Sequence, residues 1–299
     1  MNWNTCDDLQ ACLQRLRENP YTLGPQEVVV VDNGSADSSV AMVRTEFPDV
    51  YLIANGMNES YARGTNQAVG AARGDLLLLL NPDVQVLPES LDALASFLHD
   101  KPRAAVGAKL VYPDGRVQPS VRGFPRPVSV LYDLLGLSRL FKRSRVLGDY
   151  RQTFFEYNCA ACPAPQPMAS CFLITRQAWE AVGPMDERFP LYFNDVDWCF
   201  RAKAAGVGVW YTARSTVVHG WGGTTGRSET VRRVARWESH RALLRYWNKH
   251  ERLSRPLFAL LSAIVTLRAW QTTGRWGESL GRYGGETTPE SLHRELERT

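Results

Sequence analysis

Chemistry-bearing side chains gather at four places in this chain. The first follows Leu76-Leu77-Leu78-Leu79-Leu80, an apolar run that reads as a strand buried on both faces. Asn81-Pro82 stops the run, because proline cannot donate a ladder hydrogen bond, and Asp83 comes next. A carboxylate at the carboxyl end of a central strand stands where open α/β sheets bind ligands. Oxygen donors there suit a hard cation such as Mg²⁺ or Mn²⁺, held by one or two carboxylates plus substrate phosphates. The plain alternative is an Asn-Pro-Asp turn.

The second place is Val28-Val29-Val30-Val31-Asp32-Asn33-Gly34-Ser35, where a strand ends in a carboxylate and a tight turn enters a helix. Turn amides and helix N-termini favour anions, and a strand-end carboxylate can bind a base or ribose. Helix capping by Asp32 or Ser35 is the alternative. The third place is Asp195-Val196-Asp197, after Phe189, Tyr192 and Phe193. One of these carboxylates can serve as a general base if its surroundings raise its pKa. The alternative is an N-cap and a first-turn acid facing the helix dipole. The fourth is His219, ending a strand before Gly220-Trp221-Gly222-Gly223 and a candidate third metal ligand. No G-x-G-x-x-G follows the first strand, which argues against a dinucleotide fold, and no Walker A pattern is present.

The elements that must position these groups follow from periodicity. Residues 5–18 carry Leu9, Cys12, Leu13 and Leu16 at helical spacing. Strands are expected at 27–31, 50–54, 76–80, 104–111, 169–174, 207–211 and 215–219, and helices at 38–47, 65–72, 90–99, 176–182 and 195–205. This alternation predicts a mostly parallel sheet covered on both faces. Residues 55–64 read as a Gly/Asn-rich loop, and 113–157 as a long excursion with a weak helical pattern at 131–141. After Thr225 the chain reads as helical, with Val234, Trp237, Leu244 and Trp247 on one stripe.

A chain of 299 residues can bury a large core, and 44% hydrophobic with 22% charged residues suits a globular protein. Net charge is only +4, but residues 227–255 hold nine Lys/Arg against three Glu. Their aromatics fall at helical rather than stacking-platform spacing, so a nucleic-acid role is not expected. No run reaches the roughly 18 apolar residues of a membrane span; 256–270 is apolar up to Arg268 and reads as a core or interfacial helix. The first residues lack the apolar stretch of a signal peptide, so a reducing cytoplasm is expected. Cys159-Ala160-Ala161-Cys162 has no second C-x-x-C and no nearby His, so free thiols are expected there.

Taken together, five segments resemble the family 2 glycosyltransferases of the GT-A fold, in their rhamnosyltransferase-like branch. They are VVVVDNGSADSS at 28–39, NESYARGTNQA at 58–68, GDLLLLLNPDV at 74–84, MASCFLITRQAWEAVGPMDERFPLYFNDVDWCFRAKAAG at 168–206 and VVHGWGG at 217–223, in family order. The resemblance implies a GT-A catalytic domain over 1–225 and a C-terminal helical extension over 226–299. It implies that Asp32, Asn33 and Ser35 hold the base and ribose of a nucleotide-sugar, and that Asn58, Arg63, Gly64 and Asn66 line the nucleotide and diphosphate region. Asn81-Pro82-Asp83 is similar to an Asp-x-Asp metal motif, with Asp83 the ligand of Mg²⁺ or Mn²⁺ and His219 completing the shell. Asp195 matches the catalytic base, with Asp197 supporting it or orienting the acceptor, while Asn194 stands where the family has Glu. Family members begin with a strand before Asn2-Trp3-Asn4-Thr5, and here Met1 stands where it should end; a start upstream is the expectation. The implied reaction is an inverting transfer of a sugar, rhamnose from dTDP-rhamnose or else a UDP-sugar, to a glycan or lipid-linked acceptor. The basic stripe at 227–255 beside 256–270 suits an anionic membrane surface or, equally, a helix packed on the catalytic domain. A degenerate nucleotide-sugar-binding protein and a nucleotidyltransferase are the rival readings. Retention of Asp83, Asp195 and His219 argues against the first, and the lack of a Gly-rich activating loop against the second.

Overall fold

A computed structural model describes residues 1–220 and 229–273. In chain order the elements are α1 (Cys6–Glu18), β1 (Val29–Asp32), α2 (Ser39–Glu46), β2 (Tyr51–Ala54), α3 (Tyr61–Ala71), β3 (Leu76–Leu80), β4 (Val84–Val86), α4 (Ser90–Leu98) and β5 (Ala104–Val111). There follow β6 (Val121–Arg122), α5 (Pro127–Leu134), the single turn α6 (Leu137–Leu140), β7 (Cys162–Pro163), β8 (Gln166–Pro167), β9 (Cys171–Thr175), α7 (Arg176–Val182), α8 (Asn194–Ala204), β10 (Gly208–His219), α9 (Glu229–His250) and α10 (Arg255–Thr273).

The central sheet runs β3-β9-β5-β10-β4, with β7 added on β10, while β1 and β2 form a separate parallel pair. The alternation of strands and helices predicts a mostly parallel sheet, and here the central sheet departs from it. Only β5–β10 is parallel; β3–β9, β9–β5 and β10–β4 are antiparallel. The excursion at 113–157 returns the chain to β9 at the same end where β5 leaves the sheet, so β9 runs antiparallel to β5, and the turn at 81–83 reverses the chain between β3 and β4. Helices do cover both faces. Leu76, Leu78 and Leu80 face a core with α1, α2 and α4, whereas Leu77 and Leu79 face one with α3, α7 and α8. Burying Leu77 and Leu79 contributes about 1.5–3 kcal/mol each.

Several boundaries differ from the periodicity. The strands expected at 207–211 and 215–219 are one strand, β10, with an irregular register between Thr212 and Thr216. β4 has no periodic signal, because three residues are too few to show one. α3 begins at Tyr61 rather than 65, since Ser60 caps it by accepting from the Arg63 amide. Asn2 bridges in parallel to Asp32 beside β1.

Cys159 and Cys162 are joined in a disulfide, S–S 2.06 Å, so the free-thiol expectation is corrected. Pairing of Tyr211 with Cys162, and a hydrogen bond from the Ala213 amide to the Cys159 carbonyl, draw both cysteines onto β10. Their Cα atoms stand 6.2 Å apart, within disulfide reach. Cys6, Cys12, Cys171 and Cys199 are free.

α9 and α10 pack on the body through a cluster that joins Ala242, Leu244, Tyr246, Trp247 and Val265 to Val130, Phe189 and Val196. The Trp247 indole donates to the Pro125 carbonyl at 2.5 Å. Part of the predicted basic stripe turns inward here: Arg245 pairs with Glu238, and Lys249 reaches α8. Arg227, Trp221 to Gly223 and residues 274–299 of the expected extension lie outside the described residues.

Candidate active site

Asp83 is set by the turn that joins β3 to β4, closed by a hydrogen bond from the Val84 amide to the Asn81 carbonyl. β4 then pairs with β10 in a register that puts His219 opposite Val84. This brings His219 Nε2 to 3.5 Å from Asp83 Oδ1, with both side chains largely enclosed. Gln118, buried in the excursion, fixes the imidazole. Its amide nitrogen donates to the His219 carbonyl at 2.8 Å, so its oxygen faces His219 Nδ1, also at 2.8 Å. Nδ1 therefore carries a proton, and Nε2 is the nitrogen that faces the Asp83 carboxylate. A lone pair and a carboxylate oxygen at that separation repel unless a proton or a cation stands between them. The donor set, one carboxylate and one oriented imidazole nitrogen, fits a divalent cation completed by substrate phosphates. Among the described residues no third His, Cys, Asp or Glu joins them.

Asp195 enters from the start of α8. Phe193 just before it takes a left-handed backbone, φ 66°, a conformation that non-glycine residues adopt at a cost. Asn194 holds the turn by donating to the Phe189 and Leu191 carbonyls and accepting from the Asp195 amide. Asp195 Oδ2 accepts from the Ala169 amide at 3.3 Å and Oδ1 from the Val196 amide at 2.8 Å. Burial pushes its pKa up, against those amide bonds. The next residue, Ser170, receives the Asn81 amide at 3.2 Å. Residues 169 and 170 thus tie the Asp195 carboxyl to the Asn81-Pro82-Asp83 turn. Tyr61 is near both: its hydroxyl donates to Asn81 Oδ1 at 3.1 Å, and its pKa is raised by burial, then by the charges of Asp195 and Asp83.

Asp197 has a different setting two residues on. It is wholly buried and binds Arg201 Nε at 2.8 Å, Lys249 Nζ at 2.5 Å and His250 Nε2 at 2.7 Å. Burial raises its pKa, but the bonds from His250, Lys249 and Arg201 outweigh that and hold it below the usual carboxylate range. A carboxylate so committed orients α8 rather than taking a proton from an acceptor.

The remaining residues of the motifs mostly brace one another. Asp32 accepts from Asn2 Nδ2 at 2.7 Å and from the Ser35 amide and hydroxyl at 2.9 and 2.7 Å. Asn33 donates to the Ser60 carbonyl and accepts from Asn55. Asn58 accepts from the Ser60 amide at 3.0 Å. Asn66 clamps the loop before α8 through Met185 and Glu187. Arg63 is half exposed and pairs with Glu59 at 3.0 Å. Gly64 is packed so closely that a Cβ would fall 2.8 Å from the Met1 side chain. Ala169 and Ser170 thus link Asp195 to Asn81, which Tyr61 also binds, and Asp83 meets His219, while Asp32, Asn33, Ser35 and Asn58 are held in their own hydrogen-bonded turns. Sequence patterns miss Tyr61, Ser170, Gln118, Lys249 and His250. Tyr61 lies inside a recognised segment, but Gln118 and Lys249 carry no local signal.

The central sheet covered by helices on both faces, with the enclosed carboxyl of Asp195 tied to the strand-end turn that bears Asp83, is a GT-A fold. The Glycosyl transferase family 2 profile matches residues 2–162, and the chain belongs to that family. The chain is 32% identical over 232 residues to the N-acetylglucosaminyl-diphospho-decaprenol L-rhamnosyltransferase of Mycobacterium tuberculosis, covering 72% of this chain and 73% of the relative. It is 23% identical to the low-salt glycan biosynthesis hexosyltransferase Agl10 of Haloferax volcanii, over 70% of this chain and 62% of the relative. Among solved structures it is similar to the mannosyltransferase PcManGT of Pyrobaculum calidifontis, in complex with GDP-Man and Mn²⁺, with TM-score 0.53 and 17% identity over 93% of this chain and 74% of that one. It is also similar to TarS of S. aureus, with TM-score 0.52 and 16% identity over 91% of this chain and 43% of that one.

Proposed function

We propose that this glycosyltransferase transfers rhamnose from dTDP-rhamnose to a lipid-linked glycan by an inverting displacement. The relative that acts on a diphospho-decaprenol acceptor supports both the sugar and the lipid. The observation that carries the chemistry is the placement of Asp195, a carboxyl of raised proton affinity tied through Ala169 and Ser170 to the turn that bears Asp83. Asp195 takes the proton of an acceptor hydroxyl, whose oxygen attacks the anomeric carbon from the face opposite the diphosphate. The bond from that carbon to the diphosphate breaks, and the nucleoside diphosphate leaves with the electron pair. Asp83 and His219 would hold Mg²⁺ or Mn²⁺, which when bound neutralises charge on the departing diphosphate. Asp197 keeps α8, and so Asp195, in place. The protein works at the inner face of the membrane as a peripheral protein.

The test is transfer from dTDP-rhamnose and from UDP-sugars to N-acetylglucosaminyl-diphospho-polyprenol, with product anomeric configuration read by NMR. Turnover with dTDP-rhamnose and inversion is the expected result. Turnover only with a UDP-sugar would replace the donor. Thermal stabilisation by nucleotide-sugars without turnover on any acceptor would leave a binding protein.

A further inference from the structure

We propose that α5, α6 and the loop that follows to Val146 form the surface that seats this protein on an anionic lipid bilayer. This names the contact face for the peripheral association inferred above and rests on that reading. The excursion exposes large apolar side chains that a folded surface rarely leaves in water: Leu135 at 64%, Leu140 at 73%, Phe141 at 49% and Val146 at 68%. Val128, Leu131 and Leu134 continue this outward apolar stripe along α5, while Val130 faces the core. Basic side chains are interleaved with the stripe. Residues 134–148 contain Arg139, Lys142, Arg143 and Arg145 and no Asp or Glu, and all four are exposed.

Asp133 and Asp149 flank this run, and Asp133 is bound by Arg151 with Arg139 nearby, so the excess of exposed cations among apolar tips fits acyl chains and anionic headgroups together. A second copy of the chain would bring the same cations against themselves. The α9 basic stripe is the poorer candidate, because Arg241, Arg245 and Lys249 turn toward Glu238, Asp186 and Asp197. α10 extends the surface. Its inner residues Phe258, Leu261 and Val265 join the same apolar cluster as Val130, and its outer stripe is Leu257, Leu260, Ile264 and Leu267. A helix apolar on both sides lies in a core or against lipid, and no described helix is long and apolar enough to cross a membrane. The cluster also holds Tyr192, Phe193 and Val196, so the surface is rigidly joined to the turn that presents Asp195. A lipid-linked acceptor would meet the base close to the plane of its own membrane.

The experiment is flotation of the full chain with phosphatidylcholine vesicles, with and without phosphatidylglycerol, at low and high salt. Wild type should float with the anionic vesicles and be released by salt. Lys142→Gln with Arg143→Gln should lower partition roughly thirtyfold, as each basic residue near the surface contributes about fivefold. Leu140→Ser with Phe141→Ser should abolish flotation, with melting temperature and transfer to a short-chain, water-soluble acceptor unchanged in both variants. If wild type floats and the variants float equally well, this face is wrong while the peripheral reading stands. If wild type does not float, both fall. Self-association lost in Leu140→Ser with Phe141→Ser would reassign the surface to a second copy.

Discussion

Lys249, at the end of α9, donates to Asp197 on α8 at 2.5 Å, so α9 is fastened to the helix that carries Asp195. The same ammonium reaches Asp186 at 2.6 Å, in the loop before α8. One side chain thus braces both flanks of the base turn. Asp197→Ala would leave Arg201, Lys249 and His250 without their shared carboxylate, and should destabilise by about 3–5 kcal/mol. Lys249→Ala, which leaves Asp197 two partners, should cost about 1.5–3 kcal/mol. Urea unfolding of the two variants measures both, and equal small losses would contradict the bracing role.

Asp195→Asn should lower kcat by roughly 10²–10⁴-fold. Donor affinity should hold, because a base that takes the acceptor's proton acts on the acceptor rather than on the donor. A variant with full turnover would remove Asp195 as base. In the wild type the acid limb of the kcat/KM profile should lie above the ordinary Asp value of about 3.9, since only the deprotonated carboxylate accepts the acceptor proton and burial raises its pKa.

The two carboxylates should oppose each other in stability as well. Asp197 is held low in the folded protein. Its contribution is present above the unfolded carboxylate pKa of about 3.9 and is lost as pH falls through the lower folded value. Asp195 is raised, so the folded state keeps its proton longer, and stability declines as pH rises from about 3.9 through the folded value. Urea midpoints against pH should therefore flatten in Asp195→Asn over the upper window, and in Asp197→Asn over the acid window.

Gln118→Leu should weaken Mn²⁺ binding by roughly 10–100-fold, measured by calorimetry or by electron paramagnetic resonance of free Mn²⁺. The substitution removes the acceptor that fixes the His219 tautomer and leaves Asp83 in place. Unchanged Mn²⁺ affinity would show that His219 is not a ligand.

Tyr61→Phe should cost about 0.5–1.5 kcal/mol through loss of its bond to Asn81. Because Tyr61 lies within electrostatic reach of both Asp195 and Asp83, the same change should also shift the acid limb of the rate profile. A stability loss with an unmoved limb would mark Tyr61 as packing alone.

The sequence by itself determined the strand that ends in Asp32, the strand that stops just before the turn bearing Asp83, the helix whose first turn holds Asp195, and the order of the motifs. These are local properties: apolar runs of five residues, a proline that stops a ladder, a polar turn before a helix. Only the tertiary structure separated Asp195 from Asp197. Two acids two residues apart look alike in sequence, and they differ because α9 brings Lys249 and His250 to one of them across about fifty positions. The directions of the central strands, the Cys159–Cys162 bond and the inward turn of part of the basic stripe were likewise decided by long-range pairing. Periodicity reports which face of an element is apolar; it does not report which distant element covers that face. His219 meets Asp83 through the β4–β10 register, and Gln118 reaches them from a segment without periodic signal. Charge and proton affinity at this site depend on what surrounds each carboxyl in space, and those neighbours are supplied by chain closure rather than by adjacent residues.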